Sequence, residues 1–294
     1  SGEFWSAAYQ PTCVAVDNYE AIFSDAKAEF RGTRRGCESH LQVAISAEDD
    51  IELRRLRLTN RGRRQRTVEI TTYAEVVLAP AASDDAHPAF SNLFVQSEIL
   101  AAKQAVLCTR RPRSHDEVPP WMFHLVAVHD AAVVAISYET DRARFLGRGN
   151  TPRTPQALTT DTDLSGTDGS VLDPIVAIRV RVVLEPEQTV QLDMVYGVGA
   201  DRPGRLRTIP GQPPILSAPP AARSTARSIT LRSSRTLPGQ LWDFSASMAL
   251  SLMPATSWGG LILKEMTDLS LTPEGRQQLA STVRGQAIRN VGVT

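Results

Sequence analysis

From residue 40 to residue 200, apolar and polar positions alternate with a period of two, in runs separated by turn residues. That period is the spacing of side chains along one face of a β-strand. In TVEITTYAEVVL, residues 67–78, Val68, Ile70, Thr72, Ala74, Val76 and Leu78 share one face, and Glu69, Thr71, Tyr73 and Glu75 share the other. In IELRRLRLTN, residues 51–60, Ile51 and Leu53 hold one phase and Leu56 and Leu58 the opposite one. This slip predicts a β-bulge at Arg54 and Arg55, because one extra residue restores the facing. Asn60, Arg61 and Gly62 then supply turn chemistry before the next strand.

The pattern continues in MFHLVAVHD and AAVVAISYE, whose junction around His129 and Asp130 predicts a hairpin. A second and clearer hairpin is predicted in IVAIRVRVVLEPEQTVQLDMVYG. There Ile178, Val180, Val182 and Leu184 face inward, Pro186 and Glu187 turn the chain, and Val190, Leu192 and Met194 return. Many strands with short turns and few helical windows predict a mainly β protein, a large antiparallel β-sandwich over residues 1–202. Residues 203–240 are rich in Pro, Ser, Ala and Arg and read as a poorly ordered linker. Residues 241–294 form a short tail. LWDFSASMALSLM suits a buried helix or a strand equally. LTPEGRQQLASTVRGQAI predicts a helical segment with Thr272 as N-cap, Pro273 in the first turn, and Leu279, Val283 and Ala287 on one face; Gly275 and Gly285 weaken it.

Composition narrows the chemistry. Hydrophobic residues make up 42% of the 294, enough for a sizeable core, and 32 basic residues balance 32 acidic ones. No net field favours nucleic acid or a membrane surface. The arginines of residues 54–66 read as an exposed strand face, since the interleaved aromatics of a single-strand binder are missing. Cys13, Cys37 and Cys108 have no metal-ligand spacing, so no metal or other cofactor is expected, and a reducing, cytoplasmic setting is the simpler expectation. No apolar run reaches the roughly 18 residues of a membrane span. The opening SGEFWSAAYQP has neither the basic start nor the apolar stretch of a signal peptide and reads as the edge of an excised part. LSGTDGS, residues 164–170, is a turn rather than a phosphate loop, and no nucleophile elbow or zinc signature occurs.

Two stretches carry candidate chemistry. In ASDDAHPAFSNLFVQSE, residues 82–98, His87 beside Asp84 and Asp85 has the makings of an acid–base pair. Pro88 and Ala89 stiffen the loop, however, and Phe90, Leu93, Phe94 and Val95 look like packing residues, so a surface-shaping role fits better. In ETDRARFLGRGNTPRTP, residues 139–155, Arg142, Arg144 and Arg148 surround Phe145, with Gly147 and Gly149 freeing the backbone. Planar donors beside a ring suit a sugar or an anion. A solvated loop with one buried Phe accounts for the same residues.

A set of segments in order carries a resemblance: SGEFWSAAYQP, NYEAIFSDAKAEF, EDDIELRRLRLTN, YAEVVLA, AHPAFSNLFVQSE, RRPRS, ETDRARFLGRG, LSGTDGSVLDPI and AIRVRVVLEPEQT. Together, over residues 1–201, they resemble the cyclic β-1,2-glucan synthases in their module similar to glycoside hydrolase family 94, the family of cellobiose and chitobiose phosphorylases. The resemblance implies a galactose-mutarotase-like supersandwich that precedes a helical linker and an (α/α)₆ barrel holding the catalytic acid. It also implies inverting phosphorolysis, in which phosphate takes the place of water. The barrel has no counterpart here, so no catalytic residue is carried over.

In the phosphorylases the sandwich lends a loop to a neighbouring subunit's active site. Residues 142–150 are the candidate for that loop by order and chemistry. The implied substrate contacts are Arg142, Arg144, Phe145, Arg148 and Asn150, supported by His87, Ser91 and Asn92. The implied partners are a β-glucan or oligosaccharide, a helical barrel module in the same polypeptide and a second subunit, with a parent protein anchored in the bacterial inner membrane through other segments. Beyond residue 201 the chain departs from the family: RPGRLRTIPGQPPILSAPPAARSTARS stands where an acidic-to-helical linker is expected, as a frame shift in a GC-rich gene or real divergence would produce. An alternative is a free-standing aldose 1-epimerase-like enzyme on the related mutarotase fold. It requires a histidine acid and a glutamate base on one concave sheet face, drawn from His87, His124 and Glu139. A third is a purely structural spacer.

Overall fold

The computed structural model describes residues 3–24, 27–46, 49–203, 206–207, 215–216 and 260–265. The first half contains β1 (Phe4–Ser6), β2 (Asp17–Ser24), β3 (Lys27–Arg34), β4 (Cys37–Ile45), β5 (Ile51–Asn60) and β6 (Arg66–Glu75). Two short helices, α1 (Ala81–Ala86) and α2 (Pro88–Asn92), precede β7 (Val95–Leu100), β8 (Ala105–Arg110), β9 (Trp121–His129) and β10 (Ala132–Asp141). Helices α3 (Arg142–Leu146) and α4 (Gln156–Thr159) lead to β11 (Pro174–Leu184) and β12 (Thr189–Gly199). A two-residue pair, β13 (Leu206–Arg207) and β14 (Ile215–Leu216), stands apart, and β15 (Gly260–Glu265) is last.

Two antiparallel sheets face each other. One has eight strands in the order β2-β3-β4-β5-β12-β9-β8-β7, and the other has five in the order β1-β15-β6-β11-β10. The predicted sandwich is therefore present. Its core takes Leu56, Leu58, Leu192 and Met194 from the larger sheet and Val68, Ile70, Ile178 and Val180 from the smaller. Fully burying each such aliphatic side chain contributes roughly 1.5–3 kcal/mol.

The inward faces follow the alternation, but the pairing does not. β9 and β10 do not form a hairpin, because β9 pairs with β8 and β12 while β10 pairs with β11 in the other sheet. Likewise β11 pairs with β6 and β10, and β12 with β5 and β9. Both connections are arches that cross the core. The β5–β6 connection is a third arch, and Asn60 ties it to the β11–β12 arch. Its buried carboxamide donates to Arg64 O at 2.8 Å and Leu184 O at 3.1 Å, and its Oδ1 accepts from Gly62 N at 2.9 Å. An inward apolar face is buried equally well by a hairpin or an arch, so period-two alternation leaves the two undistinguished.

The predicted bulge in β5 is also absent. Its register with β4 and β12 runs without a shift from Ile51 onward. Both phases are used instead. Leu56 and Leu58 enter the main core, while Ile51 packs outside against a second cluster of Ala105, Leu107, Phe123 and Leu125. Glu52 and Arg54 continue the inward row as an ion pair, with the Arg54 guanidinium 4.8 Å above the Tyr196 ring. Phe123 needs the glycine beneath it, since a Cβ on Gly197 would fall 2.2 Å from its ring.

β15 comes from the segment expected to be an apolar or helical tail. It is an inserted strand between β1 and β6, with Leu261 and Leu263 in the core. The rest of the expected linker, LWDFSASMALSLM and the expected helix beginning at Thr272 lie outside the described residues, apart from Pro203, β13 and β14.

Candidate functional site

The outer face of the five-stranded sheet is covered, although the alternation marks it as polar. Glu69 and Thr71 are fully buried and Tyr73 is 1% exposed. The cover is the chain between β10 and β11. Phe145 stacks on Tyr73 with ring centroids 5.1 Å apart and, with Leu146 and Leu164, closes a small cluster over Ile175 and Ala177. Phe145, 1% exposed, thus anchors the covering chain to the sheet. Asp141 caps α3 by accepting from Ala143 N at 2.8 Å. Gly147 ends it with φ 78°, and a Cβ there would meet the Gln156 side chain at 2.1 Å.

Anchoring α3 fixes Arg142. Its Nε donates to Glu75 Oε1 at 3.0 Å and its Nη1 to Asp173 Oδ2 at 3.3 Å, while Tyr73 Oη donates to the same Glu75 oxygen at 2.9 Å. Burial works against the Arg142 charge, but Tyr73, Glu75 and Asp173 outweigh it and raise its pKa. Burial, with Glu75 adding, also raises Tyr73 well above its ordinary value, so it remains a neutral donor. Asp173 Oδ1 accepts from Asn92 Nδ2 at 3.3 Å. One carboxylate therefore joins the two stretches singled out in the sequence.

The remaining candidates divide. Arg144, with its side chain 61% exposed, lies 3.8 Å from Asp141, and Arg148 and Asn150 are exposed beyond it. Of this segment, Arg142 is the residue tied to Asn92, through Asp173. Ser91 is buried, donating to Ser83 O at 3.4 Å, and so braces α1 against α2. His87 is exposed between those helices, and no hydrogen bond or ion pair joins its ring to Asp84 or Asp85. Asp84 is buried, and burial together with Asp85 raises its pKa. Thr151, Arg153 and Thr154 then line a groove of about 620 Å³ whose other walls include Phe4, Val14 and Arg34. LSGTDGS is irregular chain rather than the expected turn, with Gly166 and Gly169 at positive φ and Gly169 bridged to Ser97.

The histidine and glutamate needed for an epimerase do not converge. His124 points inward from the larger sheet and is fully buried, its Nδ1 donating to Val195 O at 3.1 Å and its Nε2 2.8 Å from Thr72 Oγ1. Its ring stacks on Tyr196 at 3.9 Å, and burial pushes its pKa down to about 3, leaving it neutral. Glu139 is on the smaller sheet and accepts from Thr140 N and Asp141 N, each at 2.9 Å, and from Ser165 Oγ. The two occupy different layers, and every Glu139 oxygen is engaged.

Sequence reasoning missed a buried charge cluster on the same outer face. Glu69 Oε1 accepts from Arg181 Nη2 at 2.7 Å, and Lys264 Nζ donates to Asp161 at 2.9 Å and to Thr160 O at 2.8 Å. Arg179 donates to Thr162 O at 3.0 Å and Ala157 O at 2.8 Å. These bonds clamp the chain after α4 to the sheet. Nothing local marks them, because Arg179 and Arg181 alternate like any solvent-facing strand pair. Among the described residues no group of three or more His, Cys, Asp or Glu could hold a metal ion, and no helix is long and apolar enough to cross a membrane.

The family model of the glycosyl hydrolase 94 supersandwich domain matches residues 1–209. The chain belongs to this family. Among curated proteins, this GH94 supersandwich is similar to the cyclic β-(1,2)-glucan synthase NdvB of Rhizobium meliloti (strain 1021). The two are 38% identical over 186 residues, 63% of this chain and 6% of that protein. It is also similar to the solabiose phosphorylase of Paenibacillus borealis, at 26% identity over 149 residues, 50% of this chain and 18% of that protein. The chain thus spans a small fraction of either relative. Among solved structures, a polysaccharide lyase aligns over 59% of this chain and 22% of its own, at 13% identity and a TM-score of 0.33, too low to carry an argument. The GH94 match ends at residue 209, close to where the sequence resemblance does and a few residues into the chain's Pro- and Arg-rich stretch.

Proposed function

We propose that this GH94 supersandwich is a non-catalytic domain that binds and positions a β-glucan or oligosaccharide for a helical (α/α)₆ barrel module of a cyclic β-1,2-glucan synthase-like or glycoside phosphorylase-type protein. The observation that carries this reading is the Asp173 bridge between Asn92 and Arg142. It fixes the start of a segment that carries the exposed Arg144, Arg148 and Asn150 and then Thr151, Arg153 and Thr154 of the groove. Guanidinium, amide and hydroxyl donors on such a segment suit sugar hydroxyls. In this reading the catalytic acid is on the barrel, the segment reaches a composite site, a paired subunit is compatible with that geometry, and the assembly works on the cytoplasmic side of a membrane that other parts of the protein engage.

Titration calorimetry with β-1,2-glucooligosaccharides tests it. One half of a composite site should bind weakly, with Kd on the order of 1 mM, or about −4 kcal/mol. Arg148→Ala should remove the heat. Absence of any saccharide binding would refute the reading. The epimerase alternative predicts interconversion of glucose anomers by the chain. With His124 neutral and enclosed and Glu139 fully engaged, polarimetry should show only the uncatalysed rate.

A further inference from the structure

Just beyond the C-terminal end of α2, three arginines crowd one phenylalanine. The guanidinium carbons of Arg110, Arg111 and Arg113 lie 5.4, 5.8 and 5.4 Å from the centre of the Phe94 ring. Phe90 meets Phe94 edge-on, with ring centroids 5.2 Å apart, and lies 5.9 Å from Arg113. Phe90 is nevertheless 54% exposed and Leu93 40% exposed. Arg111 is held in place by donating from Nη2 to Leu93 O at 3.0 Å.

Arg110 is the telling member. The residue is 3% exposed, its Nη1 reaches Leu78 O only at 3.5 Å, and its Nε and Nη2 are buried without a hydrogen-bond partner. Among the described residues none of the three guanidinium groups forms an ion pair, and Glu117, the acid acting on Arg110, accepts from the Arg113 main-chain N–H. A buried cation with unsatisfied N–H groups lowers the stability of the fold that carries it. A structural arginine would be expected to find its carboxylate within the chain. This one has a second arginine facing it instead.

The chemistry of the occupant follows. A neutral glucan supplies no charge to match three guanidinium groups. Exposed Phe and Leu beside Arg is the composition of a protein-binding hot spot. We propose that Phe90, Leu93, Arg111 and Arg113, backed by the buried Arg110, form a docking surface for an acidic protein face, one that presents carboxylates beside an apolar side chain on polypeptide outside this chain. The relatives leave ample polypeptide to supply it, since this chain aligns with only 6% of one and 18% of the other. Seating a carboxylate at the Phe94 edge neutralises Arg111 and Arg113 and lowers the cost of the charge on Arg110.

The full chain can be titrated, by fluorescence anisotropy, into a labelled helical peptide with glutamates four residues apart around a leucine, and into a counterpart carrying lysines instead. The acidic peptide should bind, weaken with added salt and lose about tenfold or more in affinity with Arg111→Glu/Arg113→Glu or Phe90→Ala. The lysine peptide should not bind. Arg110→Met should abolish binding and raise Tm, the reverse of what a structural arginine would show. Failure of the acidic peptide to bind, equal binding by the double variant, or a lowered Tm for Arg110→Met would each overturn the proposal. So would a dimer, seen by sedimentation, that Arg111→Glu/Arg113→Glu dissolves, because the patch would then join copies of this chain. Oligosaccharide binding should be unchanged in the double variant, which separates this surface from the saccharide segment.

Discussion

Lys264 places its ammonium nitrogen 3.6 Å from Glu69 Oε2, and both side chains are fully buried. That carboxylate oxygen has no hydrogen-bond partner, so it is held by charge alone between Lys264 and Arg179, the latter 3.9 Å away. A pair of this kind is costly to break and less costly to replace whole. Glu69→Met should destabilise the fold by about 3–5 kcal/mol, because three buried or half-buried cations lose their shared partner. Glu69→Met/Lys264→Met should lose less than the sum of the single changes. A double-mutant cycle from urea melts measures the coupling, and strict additivity would count against the pair.

Phe145→Ala should cost about 3–5 kcal/mol, the range for truncating a large buried aromatic. The ring rests on Tyr73 and seals the small outer cluster. A ring displayed to substrate would leave Tm unchanged and alter only saccharide binding. Thermal melts of the variant decide between the two roles.

Asp173→Ala separates positioning from stability. Arg142 is 33% and Asp173 41% exposed at the side chain, so solvent screens their pair and the loss of stability should stay within about 1 kcal/mol. The segment should nonetheless loosen, because Asn92 and Arg142 lose their common acceptor. Saccharide affinity is then expected to fall several-fold while the melting curve barely moves. Equal affinity in the variant and the parent would remove the bridge from the binding argument.

Two groups set the acid limb of stability, in the same direction but in different pH windows. His124 has its folded pKa lowered to about 3 from 6.5 by burial, so the unfolded chain takes up the proton first. Stability should therefore fall as pH drops from about 6.5 toward 3. Glu29 is lowered from 4.5 to about 2 by Lys27 and then His40. Its contribution is present above about 4.5 and is lost as pH falls through 2. Between about pH 6.5 and 5 the Glu29 contribution is constant, and of the two only that of His124 changes with pH. His124→Gln should flatten the pH dependence of urea midpoints in that window; an unchanged slope would mean the ring is not protonated on unfolding.

Much of the site lay open in the sequence as residue types, but not as roles. Arg142 and Asn92 belonged to separate stretches 50 positions apart, and only the fold sets both on Asp173, which alternation and motif left unmarked. Phe145 among arginines looks the same whether it stacks on a sugar or on Tyr73. Arg110 carries no local sign of burial either. It becomes notable only once β8 is seen to end beneath Phe94.

The sequence by itself determined which side chains point into the core. Ile178, Val180 and Val182 on β11, and Val190, Leu192 and Met194 on β12, do so because period-two alternation is a local property of an extended backbone. Tertiary structure decided which sheet each strand joined, and whether its other face met water. Those outcomes depend on contacts far along the chain. β15 reaches β6 from nearly 190 residues away, and residues 142–164 fold back over Glu69, Thr71 and Tyr73, turning a nominally polar face into a buried one. Burying an apolar face lowers the free energy whichever partner covers it, so the choice of partner rests on the whole chain packing at once.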